Sequence, residues 1–134
     1  MEKIFITKNL NELENVVNYI LTNLTVSKMI LLNGELGSGK TALVKVLAKL
    51  IGIKDTIVSP TFNYMKIYEG LIHIDAYNLT EDLSEFEDYF DDNIVAIEWP
   101  EKIKIYNNNY LNVFVSVNSK GEHIYKIVKY EKDA

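Results

Sequence analysis

Apolar residues recur along the first part of the chain at two spacings, that of a strand and that of a helix. Ile4, Phe5 and Ile6 form a short apolar run that predicts a strand. Asn9 and Glu12 match a capping box. The apolar residues behind them recur at helical spacing: Leu10, Leu13, Val17, Ile20, Leu21 and Leu24. The chain therefore begins with a strand and an amphipathic helix, whose apolar stripe we assign to core packing.

A second strand and helix enclose a glycine-rich loop. The apolar run 28–33 is typical of a buried parallel strand, and the apolar positions of 44–51 repeat at helical spacing before Gly52. Between them, residues 34–41 read Gly-Glu-Leu-Gly-Ser-Gly-Lys-Thr and match G-x-x-x-x-G-K-[ST]. Because the motif lies between a strand and a helix, it predicts a P-loop.

The rest of the chain is dominated by predicted strands. Runs rich in Ile, Val and Tyr predict strands over 56–62, 63–69, 71–77 and 94–98, and a hairpin of 110–117 with 122–130. Thr80 begins a predicted helix with Leu83, Phe86 and Phe90 on its apolar side. We predict one α/β domain, residues 1–134, with a P-loop NTPase-like three-layer fold. Its sheet is largely parallel with an antiparallel C-terminal hairpin, and helices cover both faces.

The composition removes several classes of site. The chain of 134 residues has no Cys, so a disulfide framework, a thiolate metal site and a Cys nucleophile are excluded. No apolar run approaches the ~20 residues of a membrane span, and the first residues lack the pattern of a secretory signal. We therefore expect a cytoplasmic protein that makes no contact with membranes.

The charged residues indicate dependence on another molecule. The formal net charge is −5, and all 14 basic residues are Lys. Lys supplies charge but not the planar, bidentate geometry with which Arg stabilises a transferring phosphate. We expect any arginine finger to come from a partner and hydrolysis to be weak without it. The acidic balance also disfavours a chain that grips nucleic acid directly.

The P-loop residues have defined roles in phosphate binding. Their backbone N–H groups and the positive end of the following helix dipole favour phosphate oxygens. The predicted nucleotide-binding residues of this segment are Glu35, Leu36, Gly37, Ser38, Gly39, Lys40, Thr41 and Ala42. Lys40 is expected to reach the β- and γ-phosphates, and the Thr41 hydroxyl to ligate Mg²⁺.

Two later strands end in carboxylates, Asp75 and Glu98, and Trp99 follows the second. The carboxyl ends of parallel strands meet at one sheet edge, so we expect these side chains to lie near the P-loop. Asp75 suits Mg²⁺, which binds one or two carboxylates together with phosphates and water. Glu98 either orients the attacking water, reaches the metal, or only caps the next segment. Trp99 either stacks on the nucleotide or belongs to the core.

Three further features each allow two interpretations. Ser59 and Thr61 are either turn hydroxyls or, by analogy with GTPase switch loops, ligands of the γ-phosphate or its Mg²⁺. His73 shares one strand face with Asp75 and is either a satisfied, partly buried histidine or a second site residue. The acidic side chains of 81–92 form either a solvated face or a docking surface for a basic partner.

Four ordered motifs carry a family resemblance. They are the P-loop, Ser-Pro-Thr-Phe at 59–62, His-Ile-Asp-Ala-Tyr at 73–77 and Glu-Trp-Pro-Glu at 98–101. In this order and at these spacings the chain resembles, over nearly its whole length, the bacterial TsaE family of tRNA threonylcarbamoyladenosine biosynthesis. The resemblance implies a weak, Mg²⁺-dependent ATPase stimulated by TsaD- and TsaB-type partners. It also implies that tRNA is reached only through their complex.

The resemblance also assigns roles to individual residues. It implies that Lys40, Asp75 and Glu98 are catalytic and that Thr41, Asp75 and Glu98 hold the metal. It places Thr61 and Trp99 against the nucleotide. Asn78 stands where the family typically has Arg after H-x-D-x-Y, which removes a charged contact.

Two other functions remain open from the residues alone. A small-molecule P-loop kinase requires an acceptor pocket and a basic lid, but the segment between Asp75 and Pro100 is acidic. A nucleotide-gated interaction module would change its affinity for a partner on binding nucleotide, without significant hydrolysis.

Overall fold

The first helix begins where its capping residues predict. In the computed structural model, which describes residues 2–35, 37–57, 65–79 and 83–132, the N–H of Glu12 donates to Asn9 Oδ1 at 3.0 Å. This bond satisfies one of the N–H groups that a helix start leaves without a partner. Helix α1 spans Leu10–Thr22, shorter than the apolar stripe that extends to Leu24. Its buried side chains are Leu13, Val16, Val17 and Ile20.

Within the described residues, seven strands form one sheet in the order β1-β7-β6-β2-β5-β4-β3. The strands are β1 Glu2–Thr7, β2 Met29–Asn33, β3 Met65–Tyr68, β4 Leu71–Asp75, β5 Ile94–Glu98, β6 Asn109–Val117 and β7 His123–Glu131. Strand β2 pairs in parallel with β5 and β6, and β4 pairs in parallel with β5. The β6–β7, β1–β7 and β3–β4 pairs are antiparallel. The predicted parallel centre and antiparallel C-terminal hairpin are confirmed.

Each face of the sheet has its own hydrophobic core. Helices α1 and α2 (Lys40–Leu50) pack on the first face, over Ile30 and Leu32 of β2. The second face presents Leu31 and Ile97 to the segments that flank two 3-10 helices, Ser84–Tyr89 and Pro100–Lys102. In the described residues the second helical layer therefore consists of 3-10 helices, and both α-helices lie on the first face.

The α-helix predicted from Thr80 to Phe90 is wrong in type, because the described part of this segment contains a 3-10 helix. Acidic residues recur three and four positions apart in 84–92, and like charges at these spacings destabilise an α-helix. Thr80 lies outside the described residues. Of the strand predicted over 56–62, Thr56 and Ile57 are described and belong to no strand.

The ends of the central strands converge on one edge of the sheet. Asp75 and Glu98 are register partners at the ends of β4 and β5, and Leu32, next to the end of β2, pairs with Glu98. Because β7 runs antiparallel to β6, its first residue, His123, pairs with the last residue of β6 and lies at the same edge. We call this the carboxyl edge of the sheet. None of the described helices is long and apolar enough to cross a membrane.

The second core makes a direct prediction about stability. Ile97 is fully buried there, whereas Ile6 on the edge strand β1 is 55% exposed. We expect Ile97→Ala to lower the free energy of unfolding by about 2–5 kcal/mol, because it leaves a cavity. Ile6→Ala should cost less than about 1 kcal/mol. Urea denaturation measures both, and equal losses would show that the second face is not a packed core.

Candidate nucleotide site

The P-loop turns sharply into the N-terminus of α2. Gly39 is the residue before the helix, with φ 118° and ψ 11°, and its carbonyl accepts the N–H of Leu43 at 3.1 Å. The N–H of Ser38 donates to the carbonyl of Glu35 at 3.1 Å. A helix start of this kind presents free backbone N–H groups and a positive dipole end to an anion. The predicted strand, loop and helix are thus present in the predicted order.

Two glycines of the loop are required by close backbone approach. A Cβ on Gly34 would lie 2.4 Å from the carbonyl oxygen of Val115 on β6. A Cβ on Gly39 would lie 2.7 Å from the Tyr125 hydroxyl and 3.1 Å from His123 Nδ1, both on β7. Side chains at these positions would force the loop away from the sheet.

Strand β7 holds the loop through two side chains. His123 Nδ1 lies 2.6 Å from the carbonyl oxygen of Ser38, and the Tyr125 hydroxyl donates to the carbonyl of Gly39 at 3.3 Å. Burial raises the pKa of Tyr125 to about 12, so its hydroxyl remains a donor at neutral pH. These bonds fix the backbone of the turn into α2 from the side of the sheet.

The ammonium of Lys40 lies inside the site. Its Nζ donates to the carbonyl of Gly34 and lies 3.5 Å from the centroid of the Trp99 ring, a cation–π contact. The residue is only 4% exposed. Burial lowers the pKa of Lys40 from its usual range, while the carboxylates of Glu98, Glu101 and Asp75 act in the opposite direction. The cation is thus held at the loop with carboxylates nearby.

Glu98 is a buried carboxylate that lies between the sheet and the helix start. It is 4% exposed, and the Thr41 hydroxyl lies 3.5 and 3.4 Å from its Oε1 and Oε2 atoms. On its other side His73 Nε2 lies 2.6 Å from Oε2. A buried carboxylate is tolerated only with such partners. Glu98 therefore has polar partners on two sides, at the start of α2 and on the neighbouring strand β4.

Trp99 adopts a backbone conformation that is unusual for a bulky residue. Its φ of 59° and ψ of 48° are left-handed, immediately before Pro100. Such a conformation costs about 1–3 kcal/mol and occurs preferentially at functional sites. The Trp99 ring meets the ring of Tyr77 edge to face, with centroids 5.0 Å apart. Lys102 Nζ lies 5.2 Å from the Tyr77 centroid.

These side chains share one cavity of about 660 Å³ at the carboxyl edge. Its described lining is Gly37, Gly39, Lys40, Thr41, Ala42, Asp75, Tyr77, Asn78, Glu98, Trp99 and His123. Asp75 joins it at the end of β4, where its Oδ1 accepts the N–H of Tyr77 at 2.9 Å. The volume lies within the range of small-molecule sites. The predicted convergence of Asp75, Glu98 and Trp99 on the P-loop is present.

The oxygen atoms in this cavity suit a hard cation that a bound phosphate group would also help to hold. Thr41, Glu98 and Asp75 contribute oxygen atoms around the helix start, and oxygen is the ligand that Mg²⁺ prefers. Among the described residues, no group of three or more carboxylate or imidazole side chains could hold a metal by itself. A cation here would therefore depend on phosphate oxygens and water as well as on these side chains.

The other predicted binding residues are placed differently. Glu35 is exposed and contributes its carbonyl to the turn. Ser38 is buried, and its Oγ has no hydrogen-bond partner among the described residues. Leu36 and Thr61 lie outside the described residues, as do Ser59 and the rest of the Ser-Pro-Thr-Phe motif, so their predicted roles stay predictions.

Four residues that line the cavity or contact the loop were not predicted from the sequence to bind nucleotide: His123, Tyr125, Tyr77 and Asn78. His123 and Tyr125 follow their partners in the loop, Ser38 and Gly39, by 85 and 86 residues. Only the strand order brings β7 beside the P-loop, so no local pattern marks them. Tyr77 belongs to the His-Ile-Asp-Ala-Tyr motif. Because it follows Asp75 by only two residues, its position in the sequence could have indicated that it lies near the site.

Comparison with known proteins gives a family match. The family described as "Threonylcarbamoyl adenosine biosynthesis protein TsaE" matches residues 7–125. A protein named tRNA threonylcarbamoyladenosine biosynthesis protein TsaE from Nostoc sp. is 39% identical over 133 positions, which cover 90% of this chain and 82% of the relative. The protein of the same name from Synechocystis sp. is 38% identical over 111 positions, covering 74% of this chain and 71% of the relative.

A solved structure shares the fold. The crystal structure of Bacillus subtilis YdiB aligns with a TM-score of 0.72 and covers 97% of this chain and 86% of that chain. The two sequences are 19% identical in this alignment, so the likeness bears on the fold alone.

The close approach at Gly39 predicts a position-specific loss of stability. We expect Gly39→Ala to lower the free energy of unfolding by about 2–5 kcal/mol, because it adds steric overlap to a disfavoured φ. Gly121→Ala is the control, since Gly121 has a φ of 79° but nothing within 4 Å of its added Cβ. It should cost only about 1–2 kcal/mol. Thermal unfolding that ranks the two variants equally would contradict the contact with β7.

Proposed function

This chain belongs to the TsaE family, and on that premise we propose that it is the Mg²⁺-dependent ATPase of tRNA threonylcarbamoyladenosine biosynthesis. Its relatives from Nostoc and Synechocystis are named for that pathway. We further propose that it acts with partners of the TsaD and TsaB types and meets tRNA only through their complex.

The observation that best supports an ATPase is the cavity that the P-loop shares with Asp75, Glu98 and Trp99. A phosphate cradle, side chains that can hold Mg²⁺ and a residue that can position the attacking water are parts that phosphoryl transfer to water uses. Binding alone would require the cradle but not a buried carboxylate at the helix start. The combination therefore favours hydrolysis over a nucleotide-gated module.

Each side chain has a role that follows from its position. The loop N–H groups and the start of α2 bind the phosphates, with Lys40 neutralising their charge. Thr41 and Asp75 hold Mg²⁺, which neutralises charge on the β- and γ-phosphates when bound. Glu98 orients the attacking water or reaches the metal through it. The Trp99 ring covers the nucleotide from the side of β5.

The cationic side of the site is incomplete in this chain. Among the described lining residues, Lys40 is the only one with a permanent positive charge, and the sequence has no Arg. An arginine contributed in trans accelerates phosphoryl transfer greatly in GTPases. This supports a weak intrinsic ATPase that a partner stimulates.

The proposed ATPase is tested with Glu98→Gln, measured with and without purified TsaD- and TsaB-type proteins. We expect the partners to raise wild-type hydrolysis by about tenfold or more. Glu98→Gln should retain ATP and lose about 100-fold or more in turnover, because the amide cannot act as a base. Glu69→Gln is the control, because Glu69 is exposed in the turn between β3 and β4, away from the carboxyl edge. Full partner function of Glu98→Gln without hydrolysis would instead establish a nucleotide-gated module.

Phosphate binding by the loop is tested separately with Lys40→Ala. We expect calorimetry to detect no ATP binding at ordinary concentrations, because the loop loses its buried cation. Lys45→Ala is the matched control, since Lys45 is an exposed lysine of the same helix. Retained affinity in Lys40→Ala would show that the loop is not the phosphate site.

Trp99 is the only tryptophan of the chain and reports on the same site. Its ring contacts the Lys40 ammonium, so phosphates bound to that ammonium would change the charge beside the ring. We therefore expect its fluorescence to change on titration with ATP and Mg²⁺. A flat titration, where calorimetry detects binding, would remove Trp99 from the nucleotide site.

A further inference from the structure

His73 is a fully buried histidine beneath the nucleotide cavity, with no exposed surface. Its Nε2 lies 2.6 Å from Glu98 Oε2, and the side chains of the pair are 0% and 6% exposed. The same carboxylate lies beside the Thr41 hydroxyl at the start of α2. The contact links the interior of the sheet to the start of α2.

We propose that His73 is a positioning residue that holds the Glu98 carboxylate in the orientation the ATPase requires. This inference rests on the proposed function, because it assigns Glu98 a place in hydrolysis. His73 itself does not line the cavity among the described residues. It acts through Glu98 and not on the nucleotide.

The strand register brings the pair together. His73 of β4 pairs with Ala96 of β5, and Asp75 pairs with Glu98. His73 is therefore a diagonal neighbour of Glu98 on the same face of two parallel strands. Since β4 and β5 lie inside the sheet, neither backbone can move away without breaking strand hydrogen bonds. The contact is thus anchored to two strands that each have a paired strand on both sides.

The hydrogen bonding identifies the donor. His73 Nδ1 is buried and has no hydrogen-bond partner among the described residues. A proton on Nδ1 would be a buried donor without an acceptor, which is costly. We therefore assign Nε2–H as the donor of the hydrogen bond to Glu98 Oε2. The Thr41 hydroxyl lies 3.5 Å from Oε1 and 3.4 Å from Oε2, so the carboxylate that His73 contacts also lies beside the start of α2.

Loss of the contact between His73 and Glu98 should have a measurable effect on metal affinity and turnover. Replacing a group that orients the ligands of a metal site typically changes metal affinity or activity by about 10- to 100-fold. Loss of the His73 donor would let the Glu98 side chain change rotamer and would leave a buried carboxylate with a weaker set of partners. Nucleotide affinity without metal should hardly change, because the loop is untouched.

The experiment compares His73→Leu, His73→Asn and His73→Gln. The amide nitrogen of Gln can reach the place of Nε2, whereas that of Asn is too short and Leu has no donor. For each variant three quantities are measured: kcat and KM with the partner proteins, ATP affinity without metal, and Mn²⁺ affinity of the complex with a non-hydrolysable ATP analogue by electron paramagnetic resonance. Thermal unfolding confirms that each variant is folded.

The proposal expects kcat and Mn²⁺ affinity to fall by about 10- to 100-fold in His73→Leu and His73→Asn. KM and metal-free ATP affinity should stay within about twofold, and His73→Gln should restore both losses. In a double-mutant cycle, adding His73→Leu to Glu98→Gln should cost nothing further, because the contact has already lost its function.

Three results would overturn it. One is wild-type kcat and Mn²⁺ affinity in a folded His73→Leu protein. Another is a loss that His73→Gln does not restore and that follows thermal stability across the variants, which would indicate a packing role. The third is an additive double-mutant cycle. Absence of ATP binding and hydrolysis in the wild-type protein would refute the proposed function, and this result is distinct from the other three.

Discussion

The parallel pairing of β2 between β5 and β6 is the constraint on which the site depends. It brings the ends of these strands to one edge of the sheet, so that the loop after β2 meets Glu98 from β5. The antiparallel return of β7 then places His123 and Tyr125 against the turn into α2. Phosphate binding requires backbone N–H groups in one orientation, and here that orientation is fixed from two sides of the loop.

Buried charges strengthen the electrostatic interactions of the site, and their burial also makes each polar partner necessary for stability. Glu98 and Lys40 are each 4% exposed, and the structure compensates them with His73, Thr41, a backbone carbonyl and the Trp99 ring. Charges with so little water interact more strongly than they would at the surface. The same burial makes each partner necessary, because a buried charge that loses its partner is strongly destabilising. Packing and chemistry therefore rely on the same few contacts.

The chain and its cavity have more acidic than basic side chains. The net charge is −5, and the lining of the cavity combines Asp75 and Glu98 with a single lysine among its described residues. Under the proposed function, an anionic nucleotide entering this cavity would need additional positive charge, of which Mg²⁺ would supply a part. A cation from a second protein would supply the rest at the moment of reaction. In the ATPase that we propose, hydrolysis would then be conditional on that partner.

The sequence by itself determined the elements whose signals are local. Periodicity predicted both α-helices and most strands, the P-loop motif marked the turn into α2, and carboxylates at strand ends pointed to Asp75 and Glu98. The prediction of an α-helix after Thr80 was wrong. It relied on the apolar spacing and did not weigh the repulsion between acidic side chains three and four positions apart. The tertiary structure alone decided the pairing of His73 with Glu98 and the contacts of β7 with the P-loop. These contacts join residues 25 and more than 80 positions apart, and they arise from strand order and register, which no short-range pattern encodes.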